Sequence, residues 1–154
     1  MKKYFLFSII FLLSLTNCMK DKPVSKVHNF TKNTWKRFDF LNFDFPIENT
    51  DKLYNIVILL RFNDDFPTQG LLINLVTTMP SGEERIKEYK FTLRDKNDTL
   101  LGEKKAGYNE RFITIKKDVR FSEQGVLKFE IENLMTKYFT PGIVEFGIVL
   151  EPAG

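Results

Sequence analysis

Residues 41–45 alternate without a break. Leu41, Phe43 and Phe45 face one way, Asn42 and Asp44 the other, and a period of two marks a half-buried strand. Residues 126–132 repeat the pattern, with Leu127, Phe129 and Ile131 inward and Lys128, Glu130 and Glu132 outward. Residues 85–94 do so on an odd-numbered face of Tyr89, Phe91 and Leu93, and 112–117 alternate more weakly. Residues 53–63 differ, because Ile56-Val57-Ile58-Leu59-Leu60 leaves no polar side. A strand covered on both faces reads that way, and its β-branched content speaks against a helix. Residues 71–79 and 143–151 complete the set, with turns at Asn49-Thr50-Asp51-Lys52, Pro80-Ser81-Gly82, Asp95-Lys96-Asn97-Asp98 and Pro141-Gly142. Residues 103–111 read as loop, and 133–139 as one helical turn. Trp35 to Phe40 runs one residue out of phase with residues 41–45, so a bulge near Phe40 and Leu41 is expected to carry Phe38 and Phe40 inward. Pro46 is expected to end that ladder. The fold predicted is all-β: an antiparallel β-sandwich of about seven or eight strands, jelly-roll or immunoglobulin-like.

Ahead of the strands the pattern changes. Lys2 and Lys3 precede an almost wholly apolar run from Tyr4 to Leu15. It is well short of the ~20 residues a membrane-crossing helix needs, and the layout is that of a cleaved signal peptide. Leu15-Thr16-Asn17-Cys18 closes it, with Cys18 the only cysteine in the chain. This segment resembles a bacterial lipobox, in which the cysteine thiol is acylated and becomes the first mature residue. Residues 1–17 are therefore expected to be a lipoprotein signal peptide, 18–33 a lipidated flexible tether, and 34–154 the sandwich domain. Within the tether, Val27-His28-Asn29-Phe30 has the makings of an edge strand. Cys18-Met19-Lys20-Asp21 partly resembles the surface-export signal of some Bacteroidota lipoproteins, with Lys22 where a second acid belongs. The expected site is the cell envelope, lipid-anchored, at the outer membrane facing the periplasm, with surface exposure as the alternative.

Composition narrows the function. The formal charge of +3 falls to about +1 once Lys2 and Lys3 leave with the signal. There is no basic stripe and no aromatic-basic interleaving, so a nucleic-acid surface is not expected. An exported chain without structural disulfides suits a bacterial envelope protein. The 16 phenylalanines are explained by core packing, each buried ring contributing ~1.5–3 kcal/mol. The competing reading is a glycan-binding lipoprotein of a polysaccharide-utilisation system, with Trp35, Tyr54, Tyr89, Tyr108 or Tyr138 as stacking platforms.

Catalysis finds little footing. The one histidine, His28, lies in the expected tether, and there is no Gly-x-Ser-x-Gly elbow for a triad. Zinc lacks ligands. Asn63-Asp64-Asp65 and 95–98 carry oxygen ligands suited to calcium, but turn chemistry accounts for both. No enzymatic activity, cofactor or metal is expected.

From Trp35 to Glu151 the chain is similar to the GldH family of gliding-motility lipoproteins of Bacteroidota. The residues that carry the resemblance are Trp35 with Phe43 and Phe45, then Tyr54 to Arg61 ahead of Phe66-Pro67 and Leu71. Next come Leu93-Arg94-Asp95 and Leu100-Leu101-Gly102, then Phe121 to Ile131. Met135, Gly142-Ile143 and Phe146 to Glu151 close the set. Phe66 stands where the family has Tyr, Gly70 where it has Asn, and Leu100 where it has Trp. The resemblance implies a non-catalytic scaffold that supports gliding motility and type IX secretion, held at the membrane through Cys18 and partnered by other envelope proteins of those systems. The 63–70 loop is the candidate contact, with Arg61, Phe66 and Pro67 at its centre; the competing and favoured reading makes Arg61 a structural ion-pair partner and Phe66 a loop anchor. Asp98-Thr99-Leu100 resembles the Asp-Thr-apolar motif of Bacteroidota O-glycosylation, which makes Thr99 the candidate acceptor. Intact-mass analysis of the protein from its native host should give a chain that starts at acylated Cys18. A free Cys18 thiol, or a different first residue, would rule the anchor out.

Overall fold

The computed structural model describes residues 22–154; the signal segment and Cys18 lie outside the described residues. Eleven strands succeed one another in chain order: β1 (Val24–Asn29), β2 (Thr34–Lys36), β3 (Leu41–Ile47), β4 (Leu53–Phe62), β5 (Gly70–Thr78), β6 (Glu84–Thr92), β7 (Glu103–Lys104), β8 (Asn109–Arg120), β9 (Gly125–Asn133), β10 (Phe139–Pro141) and β11 (Ile143–Pro152). One sheet has the order β1-β11-β4-β8-β7, a second β3-β9-β5-β6, and β10 pairs with β2 in a separate small ribbon. Every pairing is antiparallel.

The eight long strands nest. β5 pairs with β6, β4 with β8, β3 with β9 and β1 with β11. A chain that doubles back at β5–β6 and wraps its two arms into facing sheets makes a jelly roll, which decides between the two sandwich types expected. Alternation works as the period of two requires. Leu41, Phe43, Phe45 and Ile47 of β3, and Leu127, Phe129 and Ile131 of β9, face Ile56, Ile58, Leu60 and Phe62 of β4 and Phe146, Ile148 and Leu150 of β11 in one core. β4 is central in its sheet, and its other face buries Val57 and Leu59 with Val149 in a second, smaller cluster. That double burial is why its sequence shows no polar side.

Five expectations need correction. The tether does not extend to residue 33: Val24–Asn29 pairs along its whole length with β11, and a 3-10 turn at Thr31–Asn33 comes next. All six β1 residues are exposed, so the strand has no apolar period, and backbone pairing alone defines it. Phe38 and Phe40 do not turn inward; both are exposed, because the chain breaks off after β2 and restarts in the other sheet at β3. Pro46 does not end β3, which continues to Ile47; β3 is an edge strand, where the missing N–H costs no ladder bond. Residues 109–111 belong to β8, and 133–139 form the end of β9, a bend and the start of β10, with no helical turn. Ile58→Ala should lower unfolding free energy by about 2–5 kcal/mol, whereas Ile86→Ala, on the exposed β6 edge, should stay within about 0.5 kcal/mol. Urea denaturation measures both, and equal effects would overturn this assignment of the core.

Candidate functional site

The two ends of the sandwich differ. Lys22 and Val24 share a shallow cavity with Pro46, Tyr54 and Pro152, so the chain enters at this end. The opposite end gathers the 63–70 loop, the 95–98 turn, the 134–138 bend and the β2–β10 ribbon. β4, whose ten residues separate the two, spans about 30 Å at ~3.3 Å per residue.

At this far end the ribbon exposes a group of aromatic rings. Phe38 is 64% exposed, Phe139 55% and Tyr138 49%, and Phe40 lies nearby in the chain. The Phe38 and Tyr138 centroids are 6.1 Å apart, and Tyr138 meets Phe139 edge-on at 4.7 Å. The Arg37 guanidinium lies 5.8 Å from the Phe38 ring centre, and its buried Nε has no acceptor among the described residues. Solvated rings in contact with one another, rimmed by a cation, have the make-up of a binding surface. Phe139 also divides two cavities. One, of about 740 Å³, is lined by His28, Phe30, Lys32, Lys36, Asp39 and Pro141, among others. The smaller, about 110 Å³, reaches Pro67, Thr68 and Met135.

The rings stand on a rigid base. Trp35 is fully buried; it stacks on Phe30 at 5.1 Å and tilts against Phe146 at 5.4 Å, and its Nε1–H donates to the Asp39 carbonyl at 2.8 Å. Buried Asn133 donates through Nδ2 to Thr140 Oγ1 at 3.0 Å, and its Oδ1 accepts from the Met135 N–H at 2.9 Å. Arg94 clamps the neighbouring loops. Nε and Nη2 donate to the Phe66 carbonyl at 3.2 and 3.0 Å, Nη2 to that of Asp64 at 2.8 Å, and Nη1 to that of Asp98 at 2.9 Å. One planar fork thus joins the 63–70 loop to the 95–98 turn. Gly142 completes the packing: at φ +80° it lies against the Phe66 backbone, where a Cβ would overlap the Phe66 nitrogen.

The residues singled out from sequence fall into distinct places. Arg61 is on the outer face of β4, bonded through Nε to Glu110 at 2.7 Å and through Nη1 to Glu145, with the Tyr108 ring 5.4 Å away. The Glu110 bond, more than the two acids' charge, holds the guanidinium above its already high ordinary pKa against partial burial. Two of its donors, on Nε and Nη1, are thus committed within the sheet. Phe66 is 1% exposed, so it props the loop from beneath and offers no ring to a partner. Pro67 is exposed at the mouth of the smaller cavity. Thr99 is exposed too, in a turn whose Asp95 carboxylate accepts from the Asn97 and Thr99 N–H groups at 2.8 and 2.9 Å. The rings of the glycan reading do not assemble. Trp35 is buried, Tyr54 packs on Phe121 at the chain-entry end, Tyr89 stacks on Phe91 along β6, and Tyr108 covers Arg61. Only Tyr138 reaches the exposed group. Missed from sequence were Phe38, Phe40, Phe139 and Arg94; the phase break before Leu41 was the signal for the first two.

The sequence model of the GldH lipoprotein family matches residues 23–150, nearly the whole sandwich. The chain belongs to the GldH lipoprotein family. It is 26% identical over 107 residues to the gliding motility lipoprotein GldH of Flavobacterium johnsoniae, covering 70% of this chain and 67% of that one. It is 24% identical over 133 residues to the GldH homolog of Christiangramia forsetii, covering 86% and 79%. Among solved structures, a chain of infectious bursal disease virus strain Gx aligns with TM-score 0.37 and 12% identity, over 88% of this chain and 34% of that one, a likeness too slight to carry function. Membership makes this a lipid-anchored lipoprotein of the cell envelope, in a family named for gliding motility and not for a reaction.

The Arg94 clamp is open to test. Arg94→Lys should cost about 1–3 kcal/mol, since a single ammonium nitrogen cannot span carbonyls that the guanidinium reaches from three separate nitrogens, and acceptors are left unmet. Urea unfolding reads the loss, and amide exchange should rise first in the 63–70 loop. A Lys variant with the wild-type midpoint would remove the clamp from the account.

Proposed function

We propose that this GldH-family chain is a non-catalytic scaffold that supports gliding and type IX secretion by presenting its far end to other envelope proteins. The observation that carries the reading is the exposed Phe38–Tyr138–Phe139 group on a rigid base at the end opposite chain entry. Solvated aromatic rings are costly to leave unpartnered and rank high among residues that dominate protein interfaces. Cys18 acyl chains at the outer membrane, on its periplasmic side, supply the anchor at ~0.8 kcal/mol per buried methylene. Five residues lie between Cys18 and Val24, so the tether spans at most ~20 Å. The far end then stands within ~50 Å of the bilayer, a reach that suits membrane-embedded or membrane-attached partners.

The test is genetic. Deletion in a gliding host should abolish both surface spreading and secretion of type IX cargo, and the wild-type gene should restore them. A Phe38→Ser/Phe139→Ser gene should yield normal protein levels yet fail to restore either trait, since loss of a hot-spot ring costs ~2 kcal/mol or more, about thirty-fold in affinity. A deletion strain that glides and secretes normally would sink the reading.

A further inference from the structure

We infer that the edge of β1, unpaired among the described residues, together with the cavity it runs into, binds an extended acidic segment of a partner protein by strand addition. This rests on the reading of the domain as a partner-binding module and names the chemistry of one partner.

The backbone sets which groups are available. The Phe30 N–H donates to the Val144 carbonyl at 3.0 Å, continuing a register in which Val24 opposes Leu150. Antiparallel pairs alternate between bonded and non-bonded positions. Even-numbered β1 residues therefore bond to β11, and the N–H and C=O of Ser25, Val27 and Asn29 point away from the sheet. Exposed edges are normally guarded by charge, proline or brevity. β3 carries Asp44 and Pro46, β6 carries Glu84, Arg85, Lys87, Glu88 and Lys90, and β7 is two residues long. β1 is longer than β7, and it has no proline and no charge on its outward-facing residues Ser25, Val27 and Asn29. Its one fixed charge, Lys26, turns inward to lie 5.6 Å from the centre of the Phe45 ring.

The cavity at the end of this edge sets the partner's chemistry. Phe30, Phe139 and Pro141 give it apolar walls, and Lys32 and Lys36 stand against the single acid Asp39. A strand laid along β1 would thus bring an apolar side chain to the walls and carboxylates to the lysines. Backbone pairing gives affinity in this mode and the side-chain cavity gives selectivity.

The probe is an eight-residue peptide alternating Val with Glu and carrying one Phe, set against the same peptide with Lys for every Glu. Each is titrated into the ¹⁵N-labelled chain from residue 18 onward carrying Cys18→Ser. The acidic peptide should bind at least tenfold tighter, moving the amide signals of Ser25, Val27 and Asn29 and leaving those of β6 in place. Ser25→Pro removes an N–H that faces solvent, a position where proline is tolerated, and should weaken binding about fivefold, the worth of one hydrogen bond. Lys32→Glu with Lys36→Glu, both surface changes, should reverse the preference to the basic peptide. Equal binding of the two peptides, no binding of either, or an unchanged preference in the double variant would overturn the inference. If that occurs while the deletion strain still loses gliding and secretion, the scaffold reading survives and this partner chemistry does not.

Discussion

The geometry of the far end depends on one buried indole. Trp35 lies where the chain leaves the five-stranded sheet and crosses to the four-stranded one, and it touches both sides of that crossing. Its ring packs on Phe30 before it and Phe146 of β11. Its N–H is satisfied by the Asp39 carbonyl beyond it, and its own carbonyl accepts from buried Asn133. A buried indole N–H needs a partner, and only a chain that loops outward over 37–40 brings a carbonyl back to it. Phe38 is exposed as a consequence. The same ring that completes the core thereby pushes another aromatic into solvent.

Nesting has a second consequence. The first long strand pairs with the last, so β1 finds its place only after the rest of the chain is assembled, and the non-local pairing is slow to form. Its inward side chains include Lys26 and His28, which rest on aromatic rings and bury little surface. β1 is therefore held by its ladder with β11 more than by the core. The strand nearest the anchor is both the least buried and the least guarded at its edge.

Strands β3, β4, β5, β6, β9 and β11 were legible because burial imposes a period of two, or a run with no polar face, on their residues. Phe43, Phe129 and Ile58 declare their side by their neighbours alone. β1 was legible only in part: Val27-His28-Asn29-Phe30 had the makings of an edge strand, but all six residues of β1 are exposed and carry no apolar pattern that would set its bounds. Phe38 was misread because a break in phase fits either a bulge or a change of sheet, and only tertiary pairing decides between them. Arg61 and Phe66 were found with two roles open to each, partner contact or a structural part as ion pair and loop anchor, and the structure takes the structural one. An arginine on a strand looks the same whether its donors are free or bonded to Glu110 and Glu145, which lie 49 and 84 residues away. Arg94 shows the same limit, since backbone carbonyls leave no trace in sequence.

A stiff domain on a short tether changes what the anchor contributes. β4 is buried on both faces, by the main core on one side and by Val57, Leu59 and Val149 on the other, and the Arg61 ion pairs tie it across to β8 and β11. The far-end rings likewise sit on a base built by Trp35 and Asn133, beside loops held by Arg94. Binding a preformed surface avoids most of the ~0.5–1.5 kcal/mol per side chain that ordering an interface costs. With the proposed anchor at Cys18, that surface is confined to a shell a few nanometres deep, where effective concentrations reach the millimolar range. Under the proposed scaffold role, contacts as small as a six-residue edge and three exposed rings then suffice for occupancy.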